Sequence, residues 1–355
     1  MQKVLVGMSG GVDSSAAAAL LLEAGMEVGG VTLCLCDGLP GGAAPDNAGR
    51  DAEDAAAVAA ALGIPHCVAA FREDFEAQVI FPFVRAYLAG QTPNPCVFCN
   101  KQIKFGVMLN YALERGFTHI ATGHYVRRKT DPVSGRELLL RSADLKKDQT
   151  YMLYTLSQKQ LAHSLFPLGG LQKQEVRRYA EEKGLVSAKR PDSQDICFVP
   201  DGDYAAFIER YTGEKCPPGD YVDRRGSRLG RHGGVIRYTI GQRKGLGIAL
   251  GRPAFVLEKD AGSRRVVLGE EKYLFARRVA VGQVNLIAAE RLDAPLRVTA
   301  RLRYSQQPQP ATLFPEEDGA LLEFDTPQRA ATPGQSAVFY DGDIVIGGGV
   351  IRSPL

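Results

Sequence analysis

Nowhere in the 355-residue sequence does an apolar run approach the ~20 residues that a membrane-crossing helix needs, so no bilayer span is expected. Residues 1–9 carry no cationic stretch followed by a long apolar core and a cleavage site, which leaves the expectation of a cytoplasmic protein. The seven cysteines are odd in number and irregularly spaced, which argues against a secreted disulfide framework and towards metal or redox chemistry. Neither sign of charge is in excess: 43 Lys and Arg against 40 Asp and Glu give a net charge of +3, which by itself says little about nucleic acid. No internal repeat and no coiled-coil pattern is present.

What is present reads as two or three domains. Residues 3–8 form a short apolar strand, 9–14 a Gly-rich turn, 15–24 an Ala/Leu helix ended by Gly25, and 28–35 a second strand. A Gly/Pro/Ala-rich loop at 39–49 precedes a helix over 51–62, a strand at 65–70, helical stretches at 75–89 and 101–115, and a strand at 119–122. The alternation is expected to run to about residue 200, as an α/β, doubly wound parallel sheet with its site at the carboxyl ends of the strands. After a short helix at 201–208 the character changes. From 277 onward short alternating runs at 279–284, 296–304, 311–314, 320–324, 336–340 and 344–351 predict a small β-barrel. The expected units are 1–200 (catalytic), a small central domain at 201–276, and a C-terminal β-barrel at 277–355. Within the central unit, 221–252 holds eight basic residues against Asp223 alone, a local surface suited to phosphates.

The string Gly7-Met8-Ser9-Gly10-Gly11-Val12-Asp13-Ser14 follows a strand and opens a helix. Glycines let the backbone approach a phosphate, and a helix N-terminus offers N–H groups and a positive dipole end. Asp13 suits a hydrated cation such as Mg²⁺. The Gly-Lys-Ser/Thr ending of a Walker loop is missing, and so is the G-x-G-x-x-G dinucleotide fingerprint. The string resembles the PP-loop of the ATP pyrophosphatase superfamily, whose members transfer AMP to an oxygen and release pyrophosphate.

Cys96 and Cys99 form a C-x-x-C, and Cys197 lies in Ser193-Gln194-Asp195-Ile196-Cys197-Phe198. A sulfur-carrying cysteine acts as a thiolate, favoured by helix N-termini and nearby cations. Cys99 just ahead of a helix expected near Asn100, with Lys101 and Lys104 close by, suits such a thiol. Cys34, Cys36, Cys67 and Cys216 are read as structural, with Cys34 and Cys36 on one face of a strand.

Thr92-Pro93-Asn94-Pro95, Cys99-Asn100-Lys101 with Ile103-Lys104-Phe105, Ala121-Thr122-Gly123-His124-Tyr125, Lys147-Asp148-Gln149, the Cys197 motif, Tyr238-Thr239-Ile240-Gly241-Gln242-Arg243-Lys244-Gly245, Arg301-Leu302-Arg303-Tyr304 and Ala331-Thr332-Pro333-Gly334-Gln335 occur in one order across nearly the whole chain. Together they resemble the tRNA 2-thiouridylase family. The resemblance implies ATP on residues 7–14 with Leu33 and Gly123, a nucleophile at Cys99 and a persulfide carrier at Cys197. It implies tRNA contacts at His124, Lys147, Asp148, Gln149, Arg303, Tyr304 and Gln335, with Asn94, Pro95 and Cys96 facing the target base. It further implies a sulfur-donor or sulfur-relay protein as partner and a transient disulfide between Cys99 and Cys197. The family pattern usually has Asp where this chain has Cys96. Cys96, Cys99 and Cys197 therefore also suit an iron–sulfur cluster with one open iron; the persulfide route is preferred because it needs only the two matched cysteines. No other resident metal is expected. The competing readings are a small-molecule synthetase of the same superfamily, which leaves Cys99, Cys197 and the barrel unexplained, and a non-enzymatic, ATP-gated RNA-binding or sulfur-carrier module, which does not account for an intact phosphate loop paired with two reactive thiols.

Overall fold

The computed structural model describes residues 2–38, 48–185 and 196–355; residues 193–195 of the Cys197 motif and most of the expected 39–49 loop lie outside the described residues. The chain begins with β1 (Lys3–Gly7), α1 (Val12–Glu23), β2 (Glu27–Cys34), α2 (Ala48–Leu62) and β3 (His66–Ala70). Ala16–Ala19 of α1 are almost fully buried, because a run of methyl-sized side chains lets the helix lie close on the sheet. A helical stretch follows, α3 (Arg72–Phe75) and α4 (Phe81–Leu88) joined through a π-turn at Glu76–Ile80. A second comprises α5 (Pro95–Phe98), a π-helical segment Cys99–Val107, and α6 (Met108–Glu114), leading into β4 (His119–Ala121).

The regular alternation stops at β4, earlier than the sequence pattern suggests. β5 (Val126–Thr130) and β6 (Glu137–Arg141) form a hairpin that joins the C-terminal sheet, through Leu140 beside Ile344. Its alternating side chains bury Leu139 completely against that sheet, a better fit than a place in the parallel one. After α7 (Gln158–Ala162), the two-residue β7 (Ser164–Leu165) returns to the parallel sheet, and α8 (Lys173–Glu182) covers α1. The parallel order is β3-β2-β1-β4-β7. The chain leaves β1 towards one side and returns on the other, so the crevice above β1 and β4 is the topological switch point where α/β sheets bind ligands.

α9 (Tyr204–Thr212), capped by Asp203 accepting from the Ala206 N–H at 2.9 Å, leads to a second unit. β8 (Gly219–Val222), β9 (Arg228–His232), β10 (Phe255–Asp260) and β11 (Arg265–Gly269) form a sheet of order β10-β11-β8-β9 around Tyr221, Val256 and Val266. The third unit is β12 (Phe275–Leu286), β13 (Leu296–Arg301), β14 (Gln309–Glu316), β15 (Gly319–Arg329), β16 (Ser336–Asp341) and β17 (Ile344–Pro354). Pairing of β12 with both β15 and β17 closes these six strands into a barrel around Leu313, Phe324 and Phe339. Each of the six alternating runs in the sequence is one of its strands.

The segment before Cys99 is held by both later units. Pro333 O accepts from the Thr92 N–H at 3.0 Å, Gln335 Nε2 donates to Thr92 O at 2.7 Å, and Lys259 Nζ lies 3.4 Å from Thr92 Oγ1.

Candidate functional site

The loop after β1 is shaped by its own residues. Gly10 has φ of 69°, a left-handed conformation open to glycine at little cost. Gly11 is the extended N-cap of α1. Ser14 Oγ donates to Gly11 O at 3.1 Å and accepts from the Ser9 N–H at 3.2 Å, folding the loop over the helix start. Thr32 of β2 fixes the other side by donating to Met8 O at 2.8 Å. By helix geometry the first-turn N–H groups have no acceptor within the helix, and they point out of this loop. The turn after β4 comes so close that a Cβ on Gly123 would stand 2.7 Å from the Asp13 carbonyl carbon and 2.8 Å from Ser14 N. These two turns floor a cavity of about 910 Å³, roomy enough for a nucleotide. Leu33 of β2 also lines it. The glycine cradle and the α1 N-terminus fit the triphosphate of ATP.

Asp13 does not stand alone in the first turn. Both its oxygens accept from Lys173 Nζ at 2.7 Å, and Oδ1 accepts from Tyr125 Oη at 2.8 Å. Lys173, the first residue of α8, carries no motif signal and lies 160 positions from its partner, so sequence reasoning passes over it.

Of the three cysteines singled out in the sequence, Cys197 lines the cavity, and Cys96 and Cys99 are not among its lining residues. Asn94 caps α5 by accepting from the Cys96 N–H at 3.1 Å, with Pro95 in the first turn where its missing N–H costs nothing. The helix therefore starts five residues before the expected point, and Cys99 sits inside it rather than at its N-terminus. The expected thiolate setting is corrected accordingly: burial pushes the Cys99 thiol up to about 12, Lys104 pulls it down, and Cys197 and Cys96 push it further up. Cys197, expected 98 residues away in sequence to need the fold to reach Cys99, is thus its electrostatic neighbour. The Cys197 thiol is raised well above its ordinary value, first by a hydrogen bond with Cys36 and then by desolvation, with Lys104 again opposing. Cys36 and Cys197 both line the cavity. Cys34 lines it too, with its Sγ donating to Asp37 Oδ2; β2 ends at Cys34, so Cys36 lies beyond the strand. Among the described residues no group of three or more His, Cys, Asp or Glu side chains stands in a metal-holding arrangement.

The residues marked for RNA divide. Lys147, Gln149 and Tyr304 line the cavity, and Gln149 Oε1 accepts from the Tyr125 N–H at 2.8 Å. Cys96 is exposed, Asn94 is half-buried and Pro95 is buried. His124 is buried beside Thr122 Oγ1 at 2.8 Å, and desolvation, aided by Lys104, holds it neutral, well below the usual imidazole range. Asp148 turns inward: its carboxylate is fully buried, pairs with Arg301, lies 3.7 Å from Arg141, and accepts from Thr150 Oγ1. It ties the first unit to the barrel, so its carboxylate is not at the surface. Arg303 Nη2 donates to Ile240 O, Ala330 O and Thr332 Oγ1, bracing the joint between the second and third units. Gln335 is the Thr92 partner already described.

Three family models match successive parts of the chain: tRNA methyl transferase HUP domain over residues 2–201, tRNA methyl transferase PRC-barrel domain over 205–270, and Aminomethyltransferase beta-barrel domain over 276–351. The chain is 50% identical to the tRNA-specific 2-thiouridylase MnmA of Acetivibrio thermocellus, with 99% of each chain covered. It is 49% identical to the protein of the same name from Lachnoclostridium phytofermentans, again over 99% of each. A solved 4-thiouridine synthetase–RNA complex with bound ATP overlaps 58% of this chain and 47% of its own at 16% identity and a TM-score of 0.36, too weak a likeness to carry an argument.

Proposed function

The chain belongs to the tRNA-specific 2-thiouridylase MnmA family, and from that premise we propose that it replaces the 2-carbonyl oxygen of the wobble uridine of tRNA with sulfur, at the expense of ATP. The observation that carries this reading is that a phosphate-type loop and Cys197 line one cavity, with Cys99 the electrostatic neighbour of Cys197. A methyl transferase or a small-molecule synthetase would leave those thiols without work.

In this reading the uridine leaves the anticodon stack, since its O2 cannot otherwise be reached. O2 attacks the α-phosphorus of ATP, the O2–P bond forms and pyrophosphate leaves. The glycine loop and α1 N-terminus receive the developing phosphate charge. Mg²⁺, held by Asp13, would supply further charge neutralisation. Persulfide sulfur on Cys197 then becomes bonded to C2 and AMP departs with the oxygen. Cys99 attacks the inner sulfur of Cys197, leaving a Cys99–Cys197 disulfide that a dithiol reductant resets. Lys104, which favours the charged form of both thiols, is placed to help them ionise. The proposed division of labour is residues 1–200 for chemistry, with 201–276 and 277–355 gripping the tRNA stem. The proposed setting is the cytoplasm, with a sulfur-relay protein charging Cys197.

Replacing Cys99 with Ser tests the assignment. The variant is expected to bind ATP like the parent and to lose thiolation of unmodified tRNA at least about a hundredfold, as loss of a nucleophile does. Normal turnover would remove Cys99 from the mechanism.

A further inference from the structure

The carboxylate of Asp13 is an awkward neighbour for a polyanion: it projects a negative charge from the first turn of the helix that the proposed triphosphate must approach. Lys173 answers that charge from another element. Its backbone N–H donates to Asp144 Oδ2 at 3.0 Å, which fixes the start of α8. Its side chain lies over the Tyr125 ring, with Nζ 5.6 Å from the ring centroid, and ends 2.7 Å from both Asp13 oxygens. The side chain is only 9% exposed, yet it lines the cavity. Among the described residues the cavity is lined by three lysines, Lys104, Lys147 and Lys173, of which Lys104 acts on the thiols and Lys173 reaches the Asp13 carboxylate.

We propose that Lys173 is a phosphate-binding residue of this site and that Asp13 and Lys173 form an exchangeable pair. In the ligand-free loop each neutralises the other. When a divalent cation arrives with a pyrophosphate-bearing ligand, Asp13 turns to the cation and the Lys173 ammonium turns to a phosphate oxygen. Each charge trades one partner for another of the same sign, so no unpaired charge is left in a half-closed site. A compact ammonium on a flexible stem suits that exchange better than a planar guanidinium fixed by several bonds. The inference rests on the proposed use of ATP but assigns a residue that reading does not contain.

Calorimetric titration of the full chain with inorganic pyrophosphate, with and without Mg²⁺, tests it apart from turnover. Lys173→Met is expected to weaken metal-free binding by about tenfold or more, the loss of one charge-assisted contact, and Lys173→Arg to recover part of it. Asp13→Asn releases Lys173 from its partner, so metal-free binding should tighten while the gain on adding Mg²⁺ shrinks. Pyrophosphate binding by Lys173→Met equal to the parent's, or weaker metal-free binding by Asp13→Asn, would overturn the proposal and leave the ATP reading intact. A parent chain that binds neither pyrophosphate nor ATP with Mg²⁺ would overturn both. Should Lys173→Met fail to fold by its melting curve, the Asp13→Asn result decides alone.

Discussion

Cys36 holds the proton on Cys197. Its hydrogen bond is the largest influence on that thiol, and its own charge when ionised adds to the effect. Cys36→Ala should therefore move the alkylation profile of Cys197 to lower pH, followed by peptide-resolved mass spectrometry. An unchanged profile would mean that burial alone sets the Cys197 thiol. The two matched cysteines were legible in the sequence as a pair, because a family resemblance fixed both positions. Their chemical state was not. A helix assumed to begin at Asn100 gave Cys99 a stabilising N-terminus, whereas the Asn94 cap and Pro95 start the helix earlier and leave Cys99 in an apolar wall with Phe98 and Ile196. The position of Cys36 was misjudged for a similar reason. Period-two reasoning placed it on a strand, but the strand stops two residues short of it.

Between elements, the site depends on how closely the turn after β4 meets the start of α1. Gly123→Ala puts a methyl group 2.7–2.8 Å from three atoms, of which the Asp13 carbonyl carbon and Ser14 N are backbone. The two turns must separate, so we expect a destabilisation of about 1–3 kcal/mol in denaturant unfolding and a clear loss of nucleotide affinity by titration. A variant with the parent's stability and affinity would show that the loop yields more easily than its packing implies. The phosphate loop itself was visible in the sequence, since strand, glycines and helix are contiguous and each is dictated by local preference. Its closure by Gly123, by Lys173 and by the Thr32 hydroxyl is made of contacts across β1, β2, β4 and α8, for which no local pattern exists. The hairpin β5–β6 was missed on the same ground. Its alternation marks strands but not which sheet they join.

Over the whole molecule, charges hold the joints, and the family resemblance assigns one of them, Asp148, to RNA. Asp148 and Arg301 form a buried pair between the first unit and the barrel, with Arg141 3.7 Å from Asp148, and removing Asp148 would leave both arginines without their carboxylate. Lys259 sits in a second joint, beside Thr92 and Tyr87, where desolvation lowers its ammonium from 10.5 to about 8. Below about 8 both folded and unfolded chains hold that proton and the folded state bears the burial penalty. Between about 8 and 10.5 the unfolded chain binds the extra proton, so stability from this group rises with pH. Lys259→Met should accordingly stabilise the protein near pH 7, by roughly 1–2 kcal/mol after discounting for its half-exposed position, and the advantage should fade towards pH 10. Melting curves at the two pH values check both sign and trend.

The central claim, ATP-dependent thiolation through two cysteines, is tested most directly by incubating anaerobically purified protein with unmodified tRNA, ATP, Mg²⁺, a persulfide (sulfane-sulfur) donor and a dithiol reductant, then analysing the nucleosides and the iron content together. The account predicts 2-thiouridine at the wobble position, formed only with ATP and without bound iron. Activity that rises and falls with iron would contradict the persulfide route and make Cys96, Cys99 and Cys197 cluster ligands, and absence of thiolated uridine under every condition would contradict the function itself.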